Sequence, residues 1–549
     1  MKKRHPGNKN KVLLVNITRL GDMLQATPTI AGMKQENPDC RVSVLVEKQF
    51  EDVCHIIPNI DEVLSIDLGM TVRSLAREGE GIVEAYEYVS DLIGELRRRQ
   101  FDYCLNMSSS GYTALLLRML GIPRNGGWTA DEEGYRIIES DWARLFASSV
   151  FHQNRQYNSL NLVDVFRCSA DVESHPRKLL IDITPQAAEW AAKLIAEAGF
   201  TNQGPLIAIQ AGASQAKRQW NPAKFVRLVN LLIEQQQARV VLIGSRKEVS
   251  IVESIKRGCN SPNVFVAAGK TDIPQLAALL KLCQVLITGD TGPMHMSVAV
   301  GTPVVAMFLA SAFSFETGPY GEGNLVLQPV IGCGPCNPNK PCAGLECHDT
   351  IDPELLAFLV EKRIQGQVYE VPDDIANPAR VIVYRCCFDE FGFCDFVPLN
   401  SPAFDRLKPY RDAYRKVWLD DLGGFPIQQS PKATLAELTA KGAPLEGLEK
   451  VISGAEQGIR LINKLVDLIK DIHAPARALG ELNQQLTELD RSLETLGFNY
   501  SYLGPLTRMF VFAKENLLGT EPLDLASQMG KVYEDLVRRS QKLACYMQQ

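Results

Sequence analysis

Over the first two-thirds of the chain, short apolar runs of buried-strand type alternate with stretches whose apolar positions recur at helical spacing. The run at 11–17 (KVLLVNI) is followed by one helical pattern through Met23, Leu24, Thr27, Ile30 and Met33, with Pro28 inside its first two turns. Strands are predicted next at 41–46, 62–66 and 101–105, with a long charged helix over 81–99. Such alternation is the signature of a parallel, doubly wound sheet. Ligands bind these sheets at the carboxyl ends of the strands, where Asp22 falls.

The pattern restarts near Pro185, with a helix over 186–198 and a strand at 205–211. Helix 221–236 carries Pro222 in its first turn, where the missing N–H costs nothing. Strand 239–244, helix 248–256, strand 264–268 and helix 272–282 lead to the apolar run 284–287. There the chain reads Thr288-Gly289-Asp290-Thr291-Gly292-Pro293-Met294-His295, before a small-residue helix pattern at 296–300 and a strand at 303–308. Two glycines allow close backbone approach to a ligand, and the free amides that open the helix favour a phosphate or pyrophosphate. Taken alone, the stretch reads first as an ordinary strand-to-helix connection with Asp290 as a cap.

Three other places carry candidate chemistry. Asp22 follows Gly21 at a helix start, as an N-cap or as a general base toward an attacking hydroxyl. Arg19 either holds an anionic substrate group or pairs with Asp22. The loop 213–220 places Ser214, Lys217 and Arg218 just before a helix, as a solvated loop anchored by Trp220 or as cations for a departing nucleotide. Glu248 follows a strand end, where an acid either serves the helix N-terminus or binds a ribose or base.

A length of 549 residues implies several domains, because single cores stop growing at roughly 250–300 residues. The net charge of −6 argues against a general nucleic-acid binder. The basic residues 1–5 lead into Pro6-Gly7-Asn8, so no signal peptide is expected. The most apolar window, 298–310, is interrupted by Gly301 and Pro303 and is too short for a membrane span. A soluble, cytoplasmic protein is the expectation.

In that compartment the fourteen cysteines are not expected to form disulfides. Cys333-x2-Cys336-x5-Cys342-x4-Cys347, interleaved with Gly334, Pro335, Pro338 and Pro341, makes a turn-rich knuckle able to wrap a tetrahedral ion. Its spacing differs from the ferredoxin runs, so a single zinc or iron is preferred to a cluster, with His348 as a substitute ligand. The alternative is four reduced thiols without a ligand. Cys386, Cys387 and Cys394 read as core thiols rather than further ligands.

Arg19-Leu20-Gly21-Asp22, Lys217-Arg218-Gln219-Trp220-Asn221-Pro222, Gly289 to His295, Thr317-Gly318-Pro319-Tyr320-Gly321 and the cysteine knuckle occur in this order. Together they resemble the family 9 glycosyltransferases, known best as ADP-heptose:lipopolysaccharide heptosyltransferases, over roughly residues 10–365. The resemblance implies a GT-B fold of two facing Rossmann-like domains and inverting transfer without a catalytic metal. It implies Asp22 as general base, with Arg218 or adjacent Lys217 as the cation at the diphosphate. The family usually has Lys two places before the Trp, and this chain has Arg there. Donor contacts are implied for Ser214, Glu248, Thr271, Asp290, Thr291, Gly292 and His295, and acceptor contact for Arg19. The knuckle resembles an iron-binding finger of protein-modifying members, which leaves structural iron or zinc on Cys333, Cys336, Cys342 and Cys347 as an expectation.

The resulting division is 1–184 for the acceptor-side domain, 185–365 for the nucleotide-sugar domain, 366–435 as a connection and 436–549 as a helical bundle. From Leu448 apolar residues recur at spacings 4-3-4-3-4-3, and from Leu479 at 3-4-3-4-3. A third segment spans about 523–546, so an antiparallel three-helix bundle or coiled coil is expected. That bundle either packs on the enzyme or mediates oligomerisation or partner docking. The expected activity is heptose transfer from ADP-heptose to a lipopolysaccharide-core or other cell-envelope acceptor, with peripheral contact to the inner membrane. The competing readings are a protein O-heptosyltransferase and a non-catalytic nucleotide-binding scaffold.

Overall fold

Strand β1 (Lys11–Asn16) runs through the middle of a parallel sheet. Its residues Val12 to Val15 are wholly buried, which is why it reads as an unbroken apolar run and not as an alternation. With β2 (Arg41–Glu47), β3 (Glu62–Ile66) and β4 (Tyr103–Asn106) it forms the order β3-β2-β1-β4. The computed structural model describes residues 10–17, 19–77, 79–342, 344–367, 370–400, 405–427, 445–471, 473 and 475–547. The basic segment 1–5, on which the signal-peptide expectation rested, lies outside the described residues.

The single helix expected after β1 is two, Leu20–Gln25 and Thr27–Glu36. Pro28 has no N–H to offer the Leu24 carbonyl, and the Thr27 hydroxyl donates to that carbonyl instead, at 2.7 Å. The helix therefore restarts at Thr27.

Next in the chain comes a hairpin of β5 (Asn125–Ala130) and β6 (Arg136–Ile138). The second sheet comprises β7 (Leu206–Gln210), β8 (Arg239–Ile243), β9 (Val264–Val266), β10 (Val285–Gly289), β11 (Val304–Met307), β12 (Leu325–Pro329), β13 (Val381–Phe388) and β14 (Cys394–Pro398). Its order is β14-β13-β12-β11-β10-β7-β8-β9. The strands from β7 to β12 are parallel, and β13 and β14 add antiparallel. This sheet thus continues beyond residue 365, into the segment expected to be a connection. Cys386 and Cys394 are buried on that hairpin with their Sγ atoms 3.4 Å apart, and burial pushes the Cys394 thiol well up, as suits core thiols.

A buried polar knot ties the same region together. The Asp164 carboxylate is fully buried and accepts from the Tyr320 hydroxyl at 2.9 Å and from the Cys394 N–H at 2.8 Å. The Arg167 guanidinium lies 3.6 Å from it and covers the Phe393 ring.

The chain divides into two compact units rather than into consecutive blocks. One consists of 7–108 and 160–405 and contains the parallel strands β1–β4 and all of the second sheet; the other groups 109–159 with 406–549. In the latter, helix Asp141–Ser149 packs on helix Gly504–Glu515, and Ser148 Oγ donates to the Pro505 carbonyl.

Among the described residues from 445 on, the helices of that unit are Leu448–Lys470, Ala476–Asn499, Gly504–Glu515 and Pro522–Tyr546, one more than the three expected. The additional helix opens on Gly504-Pro505, which reads as a break, and its buried residues Leu506, Thr507, Met509 and Phe510 lack a heptad period. The apolar seam of 448–470 is satisfied against 522–546 inside the unit, as a bundle and not a separate coiled coil. Helix Lys408–Asp421 joins it through the buried Asp421, which accepts from Arg538 at 2.6 Å and Arg539 at 2.7 Å. Among the described residues, no helix is long and apolar enough to cross a membrane.

Candidate functional site

Two glycine loops, one from each sheet, meet at strand carboxyl ends. The first leaves β1 and opens helix Leu20–Gln25; the second leaves β10 and opens helix Gly292–Ala299. A Cβ on Gly21 would lie 3.0 Å from Cδ2 of His295, and one on Gly292 would lie 2.9 Å from Cδ2 of Leu20. Neither glycine tolerates a side chain without displacing its neighbour, so small residues set the closeness of the two loops. Asp22 sits half-buried in the first turn of its helix, and Arg19 is exposed just before it.

On the second loop, Thr291 is the N-cap of helix 292–299 but makes no side-chain cap bond; its hydroxyl pairs with that of Thr288 at 2.9 Å. The helix's first amides are not capped by that side chain. His295 is buried, and burial holds its imidazole down at about 4 against the opposing pull of Asp290. The ring is therefore neutral near pH 7, and its Nδ1 has no hydrogen-bond partner among the described residues. An unsatisfied buried polar atom of this kind costs about 1–3 kcal/mol.

Asp290 meets Arg218 at 3.0 Å and accepts from the Thr317 hydroxyl at 3.3 Å. Arg218 Nε donates to Ser311 Oγ at 3.0 Å, which leaves Nη2 without a hydrogen bond among the described residues. Sequence reasoning missed Ser311, which follows an apolar strand with no motif to mark it. Thr317 lay in a recognised motif but without a role.

Lys217 is not brought to Asp290. Its ammonium donates to three carbonyls of the knuckle turn, Asn337 at 3.0 Å, Pro338 at 2.9 Å and Lys340 at 2.9 Å. Glu248 closes a capping box, accepting from the Ser245 N–H at 2.6 Å and from Gln210 Nε2 at 3.2 Å. It lies over Gly212, where a Cβ would fall 1.7 Å from its Oε1, so a side chain at that position would displace the carboxylate. Ser214 is exposed in the loop after β7. Thr271 is half-buried ahead of helix Ile273–Leu282, whose cap is Asp272.

Cys333 and Cys342 are exposed, Cys336 is half-buried and Cys347 is buried. Burial, then the neighbouring thiols of Cys333, Cys347 and Cys342, push Cys336 up to about 11. The four are thus clustered, yet among the described residues no group of three or more His, Cys, Asp or Glu side chains could hold a metal ion. His348 completes no such group, and its Nε2 donates to the Lys217 carbonyl at 2.9 Å.

The sequence model of glycosyltransferase family 9 (heptosyltransferase) matches residues 89–343. Lipopolysaccharide heptosyltransferase 3 of Escherichia coli is 26% identical over 296 residues, covering 54% of this chain and 82% of that protein. Lipooligosaccharide heptosyltransferase 2 of Haemophilus ducreyi is 24% identical over 340 residues, covering 59% of this chain and 89% of that protein. Among solved structures, a family 9 glycosyl transferase from Veillonella parvula matches with a TM-score of 0.51 at 18% identity, covering 65% of this chain and 98% of the other. Two Rossmann-like sheets arranged as in that structure constitute the GT-B fold.

Proposed function

We propose that this chain, which carries a glycosyltransferase family 9 domain, transfers a heptose with inversion from ADP-heptose to a hydroxyl of a lipopolysaccharide-core or other cell-envelope acceptor. The observation that carries this reading is the close approach of Gly21 to His295, with no room for a side chain between them, beside the candidate base in the chain.

Asp22 takes the proton of the acceptor hydroxyl as its oxygen bonds the anomeric carbon. The bond from that carbon to the diphosphate breaks on the opposite face, and its electron pair leaves with ADP. Arg218, held by Asp290 and Ser311, offers Nη2 to the negative charge that builds there, beside the amides that open helix 292–299. His295, neutral and with Nδ1 unsatisfied, supplies a polar contact for the donor without adding charge. Ser214, Thr271, Thr291 and Gly292 line the donor side, Glu248 the nucleoside end, and Arg19 the acceptor side.

Arg218→Gln is expected to slow transfer about 10²-fold, the scale of removing one preorganised donor from a developing oxyanion. Release of ADP from ADP-heptose in the presence of a cell-envelope extract measures this. Unchanged release in a folded variant would remove Arg218 from the reaction. As placed, the knuckle thiols form, among the described residues, no group able to hold a metal ion, so the structural zinc or iron proposed for them, with no part in the transfer, would require the four thiols to draw together around it. Elemental analysis of the purified chain at about one ion per knuckle supports that proposal, and none refutes it.

A further inference from the structure

Two adjacent cations, Lys217 and Arg218, have separate partners. An ammonium has three N–H donors. Those of Lys217 all meet carbonyls, of Asn337, Pro338 and Lys340, in the turn between Cys336 and Cys342. None remains for a phosphate. The carbonyl of Lys217 is itself bonded by His348 Nε2, and the His348 carbonyl accepts from Trp220 Nε1 at 3.2 Å and Lys224 Nζ at 2.8 Å. The knuckle and the loop 213–220 are thus fastened from both sides.

The same knuckle is fastened to the opposite wall of the Arg218 site. The Cys336 N–H donates to the Ala310 carbonyl at 2.9 Å, and Ala310 takes a left-handed φ of 55° although it is not glycine. The next residue, Ser311, accepts from Arg218 Nε. The loop that carries Arg218 and the segment that carries Ser311 are therefore both tied to one turn. The side chains match their tasks: a point-like ammonium suits three convergent carbonyls, and a planar fork suits a carboxylate and a hydroxyl together.

We infer that Lys217 is a positioning residue, not a contact to the donor. Its clamp on the knuckle turn fixes Arg218 against Asp290 and Ser311, so the knuckle braces the cation that receives the leaving diphosphate. This rests on the donor-site reading of Arg218 given above.

The test is calorimetric binding of ADP to the full chain and to its K217M, R218Q and K217M/R218Q variants. K217M is expected to weaken ADP binding about tenfold, the scale of a lost charge-assisted interaction. The double variant is expected to bind no more weakly than R218Q, because Lys217 acts through Arg218. Hydrogen exchange in K217M should speed up at the amides of 333–342. Wild-type affinity in K217M overturns the inference, as do losses that multiply in the double variant, since these would place Lys217 on the nucleotide itself. If K217M does not fold, K217Q is read by the same criteria. Failure of the wild type to bind ADP would instead overturn the donor-site reading, and the role given to Arg218 with it.

Discussion

Asp22→Asn is expected to lower glycosyl transfer about 10²–10⁴-fold while ADP binding stays within about twofold, because the change removes the proposed base and keeps a hydrogen-bonding side chain of the same size. The carboxamide has the same shape and sits in the same first helical turn, where loss of the charge costs about 0.3–1 kcal/mol. The proposed donor loop of residues 290–295 is untouched. Paired measurements of ADP release and ADP affinity separate chemistry from binding. A variant that kept full transfer would place the base elsewhere and leave Asp22 as a helix-end charge.

The second large effect concerns stability. Asp164→Ala is expected to destabilise its unit by about 3–5 kcal/mol, the scale of removing one partner from a buried ion pair. Two groups lose their acceptor, the Tyr320 hydroxyl and the Cys394 N–H, and the buried Arg167 guanidinium loses the charge opposite it. The isosteric Asp164→Asn keeps one carbonyl acceptor and loses the charge opposite Arg167, so it should cost less. Thermal or urea unfolding of the full chain checks both. A shift in Asp164→Ala below about 1 kcal/mol would show that water or neighbouring groups replace the carboxylate without loss.

The parallel strands were legible in the sequence because burial on both faces makes them continuous apolar runs. The expected strand 62–66 coincides with β3, and β1, β2, β7, β8 and β10 lie within a residue or two of their expected ends. The two glycine loops were legible for a related reason, since close backbone approach leaves a compositional mark. What could not be read lies in long-range partners. Lys217 and Arg218 look interchangeable in one dimension, and what separates them is a set of carbonyls at 337–340, at least 120 positions further on. His348 looked like a ligand because it follows Cys347, but among the described residues it joins no group able to hold a metal, and its Nε2 serves the Lys217 carbonyl. The break at Ala26 came from Pro28, which leaves the Leu24 carbonyl without an N–H and to the Thr27 hydroxyl, a local substitution that periodicity does not register.

Turnover of a panel of nucleotide sugars by the purified chain, with a cell-envelope extract as acceptor, tests the central claim most directly. The account predicts that ADP-heptose is consumed, that ADP is released in proportion to product, and that the new glycosidic bond has the opposite anomeric configuration. Consumption of a different nucleotide sugar with ADP-heptose left intact, or a product of retained configuration, would contradict it.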